Sequence, residues 1–246
     1  MLVVLAGFLL FGGGGSEETE SSGSSGTATG PLVVSSTYTT VEDAPLDDRP
    51  GEWTNGLVVH PTSVVTVYNA PSGKPIAQVE PKQFGDTWLP VIDQADGWFR
   101  VLLPSKPNGS TGWLRDQNLE QAVTPYRIQV HLGSKTLELF RNGESIGKWT
   151  VGIGKPSAPT PTGRTFILGA FTDDDQKYSP VILPLGTHSP TLDSYGGGPG
   201  TVAIHTWPTD EVYGTESSDG CIRVPPDALK KLTEVPLGTI VLIDER

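Results

Sequence analysis

The stretch YRIQVHLGSKTLELFRNGESIGKWTVGIG, residues 126–154, determines the fold expected of the second half of the chain. Apolar and polar residues alternate in YRIQVHL and again in KTLELF, which is the period of half-buried β-strands. Gly133-Ser134 joins these two runs, and Asn142-Gly143 favours a type I′ turn into SIGKWTVGIG. The stretch therefore predicts three strands connected by two hairpins.

Further runs extend this β-rich unit towards the end of the chain. RTFILGAF and TVAIHTW are strand candidates, and GTIVLID closes the unit as a strand. PPDALKKL is a helix start, because prolines stand at its beginning and the periodic Ala228, Leu229 and Leu232 follow them. We expect residues 125–246 to form a β-sandwich or barrel domain with one or two short helices.

An earlier unit over residues 57–120 is also rich in short strands. The runs VVTVYNAPSG, TWLPVID, GWFRVLL and TGWLRDQNL are separated by turn residues. So many short strands in a short segment predict a small barrel. Its tryptophans, Trp88, Trp98 and Trp113, are expected mainly to fill the core, because a small core needs large side chains. The whole chain is therefore expected to be mainly β.

The residues before position 57 favour export followed by a spacer. LVVLAGFLLF has the length of a signal-peptide core, and it is shorter than the roughly 20 apolar residues that span a bilayer. Residues 1–15 are interpreted as a signal or anchor remnant. Residues 16–56 are acidic and rich in Gly, Ser and Pro, which predicts a disordered linker. We expect an exported protein of the cell envelope, either membrane-anchored or wall-associated.

Composition excludes several classes of function. The net charge of −11 over 246 residues argues against a nucleic-acid binder, because no basic surplus is available to neutralise phosphates. A single cysteine rules out an intramolecular disulfide. The four histidines are scattered, and no zinc, phosphate-loop or dinucleotide motif is present. We therefore expect neither a metal nor a cofactor.

The single cysteine is a candidate nucleophile. Cys221 lies in SSDGCIRV, residues 217–224, outside any apolar run, and Gly220 before it permits a tight turn. A thiol attacks only as its thiolate, so it needs a base. His205 ends an apolar strand candidate and could supply one. The alternative, an unreactive cysteine beside a hydrogen-bonded histidine, stays open on these residues alone.

Several motifs together resemble the L,D-transpeptidases, cysteine enzymes that remodel bacterial peptidoglycan. AIHTW (203–207) with SSDGCIRV resembles their catalytic motif, PTPTGRTFI (159–167) their Thr-Pro-x-Gly-x-Phe segment, and GGGPGTVAIH (196–205) the run into the catalytic histidine. The hairpin stretch quoted above resembles their opening strands. The resemblance covers nearly all of residues 125–244. In the earlier unit, the Asn-x-Pro-Ser-Gly turn, the Gly-Trp-Phe-x-Val strand and the closing Gly-Trp-Leu resemble a bacterial Src-homology-3-like domain.

The resemblance implies a reaction and partners. Cys221 attacks the carbonyl that joins the third residue of a tetrapeptide stem to its terminal D-alanine, and D-alanine leaves. The amine of a diamino acid on a neighbouring stem then takes the acyl group, which gives a 3→3 cross-link. His205 is the base, the Thr206 carbonyl orients it, and the N–H groups of Gly220 and Cys221 are the candidate oxyanion hole. Donor and acceptor stems are the partners, and carbapenem-type β-lactams are expected to acylate Cys221.

One departure from the family concerns Asp219, which stands where the family commonly has a second histidine. A carboxylate near sulfur would raise the thiol pKa unless a cation offsets it. Arg223 is the obvious cation, and it could also bind a stem carboxylate through its guanidinium fork, since the two roles are compatible. Asp219 and Arg223 are both kept as substrate-site candidates.

Three further residues are predicted at the substrate site, each with a structural alternative. Ser218 matches the family's serine before the motif, or is a plain turn residue. His188 lies in a segment that the family places near the substrate cleft, or is a structural turn residue. Trp207 lines the cleft or packs the loop.

The leading hypothesis is an L,D-transpeptidase. A carboxypeptidase that resolves the same acyl-enzyme with water uses the same two residues, so the sequence does not separate the two. A non-catalytic wall-binding protein with a decayed site is the third alternative.

Overall fold

A seven-stranded sheet opens the computed structural model, which describes residues 31–195 and 198–246. Its strands are β1 (Leu57–Pro61), β2 (Val65–Tyr68), β3 (Pro75–Val79), β4 (Leu89–Ala95), β5 (Trp98–Leu102), β6 (Thr111–Arg115) and β7 (Leu119–Val123). They lie in the order β3-β2-β6-β5-β4-β1-β7, and every neighbouring pair is antiparallel. The short-strand prediction is confirmed here, whereas the Src-homology-3-like likeness and the domain boundaries stay predictions.

The second half of the described chain contributes twelve more strands. They are β8 (Tyr126–His131), β9 (Thr136–Arg141), β10 (Glu144–Thr150), β11 (Ile153–Gly154), β12 (Gly163–Phe166), β13 (Leu183–His188), β14 (Ser194–Tyr195), β15 (Gly198–Pro199), β16 (Thr201–His205), β17 (Glu216–Ser218), β18 (Ile222–Arg223) and β19 (Ile240–Asp244). A five-stranded sheet has the order β10-β9-β8-β19-β12, and a three-stranded sheet has the order β13-β16-β18. The pairs β11-β17 and β14-β15 complete the set.

Helix is scarce in the residues that the structure describes. One α-helix, α1 (Pro226–Leu232), begins after Pro225, and one 3-10 helix covers Asp210–Val212. Pro226 occupies the first helical position, where a missing N–H costs nothing, as the sequence predicted. The prediction of a mainly β protein with one or two short helices is confirmed. None of the described helices has the length and apolar character needed to cross a membrane.

The predicted hairpins are present at the start of the five-stranded sheet. Strand β8 pairs with β9, and β9 pairs with β10, both antiparallel. Arg141 pairs with Glu144, so two residues form the second turn. These are Asn142 and Gly143, with φ of 52° and 85°. Two positive φ values are what a type I′ turn requires, and Asn and Gly adopt them at least cost.

Strand β19 is buried on both faces, which explains its continuous apolar run. Val241 and Ile243 belong to one core cluster, with side chains of β8, β16 and α1. Ile240 and Leu242 point the other way and belong to a second cluster, which holds most of the buried side chains of the first sheet. The first sheet therefore packs directly on the five-stranded sheet, and Leu32–Arg246 form one compact unit.

Residues 32–56 differ from the disorder predicted for 16–56. Val34, Thr40 and Leu46 form isolated β-bridges, and Val41 is only 2% exposed. Asp47 forms a buried ion pair with Arg164 of β12. The Asp47 side chain is 1% exposed and the Arg164 side chain is 2% exposed. The prediction is wrong for this segment because polar composition hid the few side chains that make specific contacts. The remaining predicted linker, 16–30, and the signal remnant, 1–15, lie outside the described residues.

Candidate active site

The parallel pair β16-β18 carries the two residues predicted to do chemistry. Ile204 pairs with Ile222, and both are fully buried in the core. Successive side chains on a strand point to opposite faces. His205 and Arg223, the next pair in register, therefore face away from that core, as does Cys221 just before β18. All three line one cleft of about 280 Å³.

The thiol of Cys221 is partly buried. Burial raises the pKa of the Cys221 thiol above its ordinary value, and the Asp219 carboxylate adds to this effect. A hydrogen bond to the backbone of Ala203 and the positive charge of Arg223 both lower it. Because burial dominates, the resting group at neutral pH is the thiol, and it needs a base before it can attack.

His205 is held in the tautomer that a base requires. Its Nδ1 lies 2.7 Å from the carbonyl oxygen of Thr206, which can only accept, so Nδ1 carries the proton and Nε2 is free to take one. Burial lowers the pKa of His205, which is 5% exposed, and the charge of Arg223 lowers it further. The hydrogen bond to Thr206 has the opposite effect. The imidazole is therefore neutral at pH 7.

Both the backbone N–H and the side-chain hydroxyl of Thr206 are hydrogen-bonded. Its N–H donates to Ser179 Oγ at 3.0 Å, and its hydroxyl donates to the Tyr178 carbonyl at 2.8 Å. The carbonyl that orients His205 is thus anchored through a neighbouring loop. This geometry is what the sequence expected of Thr206, and it depends on the backbone oxygen.

The turn before the cysteine corrects one predicted role. The Gly220 N–H donates to Ser218 Oγ at 3.2 Å, and the Ser218 hydroxyl donates to the Cys221 carbonyl at 2.6 Å. The Gly220 N–H is therefore engaged within the turn, whereas an oxyanion hole requires a donor available to the substrate oxygen. Of the two predicted donors, the Cys221 N–H is left. Ser218, 1% exposed, fits its turn alternative.

A threonine outside the catalytic motif locks the same turn. Thr160 Oγ1 donates to the Gly220 carbonyl at 2.8 Å and accepts from the Gly154 N–H at 2.9 Å. Gly220 has a φ of 111°, a left-handed conformation that residues with a Cβ rarely adopt. The conformation of the turn therefore depends on a glycine and on a hydroxyl from a distant segment.

Asp219 has a different partner from the one expected. Its carboxylate lies 2.6 Å from Lys155 Nζ, so the pairing with Arg223 considered from sequence is wrong. Arg223 instead stacks on Trp207, with its guanidinium carbon 3.8 Å from the ring centroid. Its Nη1 donates to Ser217 Oγ at 3.3 Å. Lys155 is the cation that offsets Asp219, and the Arg223 guanidinium stays in the cleft.

Trp207 lines the cleft beside an aromatic residue that the sequence did not single out. Tyr178 lies 4.9 Å from the His205 ring and 5.4 Å from the Trp207 ring, between centroids. Burial raises the pKa of Tyr178, so its hydroxyl stays protonated at neutral pH. Tyr178 lies in the polar run DDDQKYSP, which has no strand or helix period, so no local signal pointed to it.

His188 does not take the binding role predicted for it. It is 2% exposed and does not line the cleft. Its Nε2 lies 2.7 Å from the Thr37 carbonyl, and Asn108 brackets its backbone with two hydrogen bonds of 2.8 Å. Burial lowers its pKa. The structural alternative fits this placement, because the ring joins Thr37 of the segment 32–56 to the end of β13.

The described residues include no group of three or more His, Cys, Asp or Glu side chains arranged to hold a metal ion. The cleft instead brings together a thiol, an oriented neutral imidazole and a guanidinium. That combination can perform acyl transfer through a thioester.

Comparisons with known proteins agree with this chemistry at the level of a family. The family model described as the L,D-transpeptidase catalytic domain (YkuD) matches residues 125–243. A Bacillus subtilis protein named "Putative L,D-transpeptidase YkuD" is 27% identical over 151 residues, which cover 58% of this chain and 85% of that protein. Its Bacillus licheniformis namesake is 29% identical over 120 residues, covering 48% of this chain and 66% of that protein.

Solved structures of L,D-transpeptidases are also similar in part. The catalytic domain of the Enterococcus faecium enzyme is 27% identical, covers 48% of this chain and 95% of that domain, and has a TM-score of 0.37. A structure of that domain acylated by ertapenem is 24% identical and covers 50% of this chain and 98% of that domain, also with a TM-score of 0.37. For residues 125–243, the L,D-transpeptidase catalytic domain family is thus supported by the family model and by the relatives.

Proposed function

We propose that the protein is an L,D-transpeptidase that forms 3→3 cross-links between peptidoglycan stems through an acyl-enzyme on Cys221. The donor is a tetrapeptide stem, from which the terminal D-alanine is released. The acceptor is the side-chain amine of a diamino acid on a neighbouring stem. One observation carries the proposal: His205 ends β16, Cys221 directly precedes the parallel strand β18, both line one cleft, and the Thr206 carbonyl leaves His205 Nε2 free.

Acylation starts from two neutral groups. The raised pKa of Cys221 and the lowered pKa of His205 disfavour a resting thiolate–imidazolium pair. The proton therefore moves from Sγ to Nε2 as sulfur attacks the donor carbonyl, and a tetrahedral oxyanion forms. The Cys221 N–H is the donor assigned to that oxyanion. The imidazolium then gives its proton to the departing amine of D-alanine as the C–N bond breaks, which leaves the thioester.

Deacylation reverses these roles. The acceptor amine attacks the thioester carbonyl and gives its proton to Nε2, and the C–S bond then breaks as Sγ takes that proton back. Resolution by water in place of the amine would make the protein an L,D-carboxypeptidase. The half-buried thiol in an open cleft is compatible with both acceptors.

Arg223 and Trp207 are assigned to substrate binding. The guanidinium stacks on Trp207, which fixes its plane, and Arg223 lines the cleft. A fixed guanidinium suits bidentate recognition of the terminal carboxylate of the donor stem. Its positive charge also lowers the pKa of Cys221, which favours attack.

The ion pair of Lys155 and Asp219 argues against the third alternative, a decayed and non-catalytic site. The residue that departs from the family pattern is compensated by a cation 2.6 Å away, so it does not act on the thiol as an isolated negative charge. Export to the cell envelope is also part of the proposal. It rests on the sequence of residues 1–15, which lie outside the described residues.

The test is intact-mass measurement after exposure to a carbapenem, which we propose acylates Cys221. The wild type should gain the mass of one inhibitor, and Cys221→Ser should gain none. Product analysis with a tetrapeptide stem, with and without an acceptor stem, then separates the enzymes: cross-linked dimer indicates transpeptidation, and free tripeptide alone indicates carboxypeptidation. Unchanged stem in both reactions, together with no adduct on the wild type, would exclude both.

A further inference from the structure

The exposed aromatic side chains of the described residues all lie at one place. They are Tyr38, Phe84 and Tyr195, which are 70%, 38% and 56% exposed. All three line the cleft that contains Cys221, together with the less exposed Phe171. Large exposed apolar groups gathered in one groove mark a binding surface more often than chance exposure. We call these four side chains the aromatic end of the cleft.

The aromatic end is assembled from segments far apart in sequence. Phe84 comes from the loop before β4 of the first sheet, and its ring stacks on Phe171 at 5.8 Å between centroids, with 21° between the planes. Its φ is 52°, a conformation that costs a non-glycine residue of order 1 kcal/mol. A Cβ at Gly169 would lie 2.6 Å from Phe84 Cβ, so close packing holds the backbone that presents the ring.

The two tyrosines are presented by elements that are fastened to each other. Tyr195 belongs to the short pair β14-β15, and Lys106 of the loop between β5 and β6 pairs with Asp193 at 2.9 Å. Asn108 holds the backbone of His188 at the base of the same segment. The Tyr38 hydroxyl lies 3.9 Å from the position of a Cβ on Gly198. These contacts hold the backbone segments that present the two rings to the cleft.

The chemistry of this end restricts its ligand. Flat rings that stay partly exposed offer an apolar face to a ligand whose opposite face remains in water. Asp173 and Ser189 also line the cleft, and they supply acceptors and donors for hydroxyl groups. A carboxylate at the rim disfavours an anion. The expected ligand is neutral, flat on one side and polar at its edges, which describes a pyranose ring.

We propose that the aromatic end binds a sugar ring of the glycan strand to which the donor stem is attached. The proposal rests on the proposed function, because that function places a stem in the same cleft and a stem is joined to a sugar. It assigns a purpose to the first sheet and to residues 32–56, which contribute Phe84 and Tyr38. They build one wall of the substrate cleft.

The test compares two donors, a disaccharide-tetrapeptide and the free tetrapeptide, by the release of D-alanine. We expect the double variant Tyr38→Ala/Tyr195→Ala to lower the ratio of kcat/KM for the disaccharide-tetrapeptide to that for the tetrapeptide about ten-fold. Tyr38→Phe/Tyr195→Phe keeps both rings and should keep the ratio. Ile146→Ala, a side chain 38% exposed that does not line the cleft, is the matched control. An unchanged ratio in the alanine variant would overturn the proposal.

A binding measurement separates this proposal from the proposed function. The peptide-free disaccharide is titrated into Cys221→Ala, which needs no catalysis, and NMR follows the tyrosine ring signals. Saturable shifts that are lost in Cys221→Ala/Tyr38→Ala/Tyr195→Ala support the sugar site even if the wild type releases no D-alanine. No shift at millimolar disaccharide overturns the sugar site even if the wild type is an active transpeptidase.

Discussion

At the reactive end of the cleft, around His205 and Cys221, the imidazole and its partner Thr206 are buried and hydrogen-bonded, whereas at the aromatic end the largest side chains are exposed. His205 is 5% exposed, and Thr206 and Tyr178 fix it. Tyr195 is 56% exposed and belongs to a two-residue strand. Proton transfer needs atoms held within a fraction of an ångström, but stacking tolerates sliding. One cleft can therefore combine a rigid chemical centre with an adaptable recognition surface.

We expect the greatest loss of activity when the base at the reactive end is removed. In His205→Ala, acylation by a carbapenem at pH 7 should slow about 10²–10⁴-fold, because no group takes the thiol proton. The remaining rate should climb with pH beyond 9, since partial burial raises the pKa of the Cys221 thiol above its ordinary value of 9.0. The wild type should lose activity only below pH 6.5, where its lowered His205 pKa lies. A time course of intact masses across pH measures both profiles.

His60→Ala is the matched control for that series. His60 stacks on Trp88 in the first sheet, and it does not line the cleft. Its acylation profile should match that of the wild type. An equal slowing in both variants would mean that the loss of a histidine acts through folding, and it would remove the distinction between the two ends.

The second prediction concerns the stability of the wall that carries the aromatic end. Asp47→Ala leaves the buried Arg164 without its carboxylate, which should cost about 3–5 kcal/mol in free energy of unfolding. Asp48→Ala is the control one residue away, because Asp48 is 63% exposed beside Arg100 and should change stability little. Denaturant titration of the three proteins tests this. Similar unfolding midpoints for both variants would contradict a buried role for the Asp47–Arg164 pair.

The third prediction concerns the charges of Lys155 and Asp219 at the reactive end. Lys155→Met leaves Asp219 unneutralised and should raise the thiol pKa, so alkylation by iodoacetamide at pH 7 should slow up to about five-fold. Asp219→Asn should accelerate it by a similar factor, because that carboxylate raises the pKa of Cys221. The double variant Lys155→Met/Asp219→Asn should return close to the wild type. Slowing in the double variant equal to that in Lys155→Met would show that lysine acts through packing.

The smallest effect concerns the histidine that anchors the aromatic end. The folded-state pKa of His188 lies below its ordinary value of 6.5. Protonation therefore favours the unfolded chain, so the stability present above pH 6.5 is lost as pH falls through the folded value. Between pH 7.5 and 5, the free energy of unfolding should therefore fall further for the wild type than for His188→Gln. Parallel acid-side losses in urea titrations would indicate that other groups account for the change.

Local pattern in the sequence was sufficient for much of the framework. Strands β8, β9 and β10 follow from alternation and from the Asn142-Gly143 turn, and α1 follows from Pro226 and its periodic apolar residues. These features succeed because side-chain periodicity and turn conformation depend on neighbours in the chain.

Contacts between segments far apart in the chain could not be predicted from local sequence pattern. The sequence paired Cys221 with His205, but the parallel register that brings them to one face appears only in the structure. Lys155 next to Asp219 and Thr160 beneath Gly220 depend on the same three-dimensional packing. The segment 32–56 was misjudged because average polarity does not show that Asp47 meets a buried arginine.

The core shared by the first sheet and strand β19 limits how the molecule can be re-engineered. Excision of residues 125–246 as a stand-alone reagent would uncover Phe166, Leu168, Ile240 and Leu242, each now at most 5% exposed. The truncated protein would expose a contiguous apolar patch and would aggregate unless those positions were replaced by polar residues. The first sheet therefore cannot simply be replaced by an unrelated domain. A new domain would have to be fused to the chain with the first sheet retained.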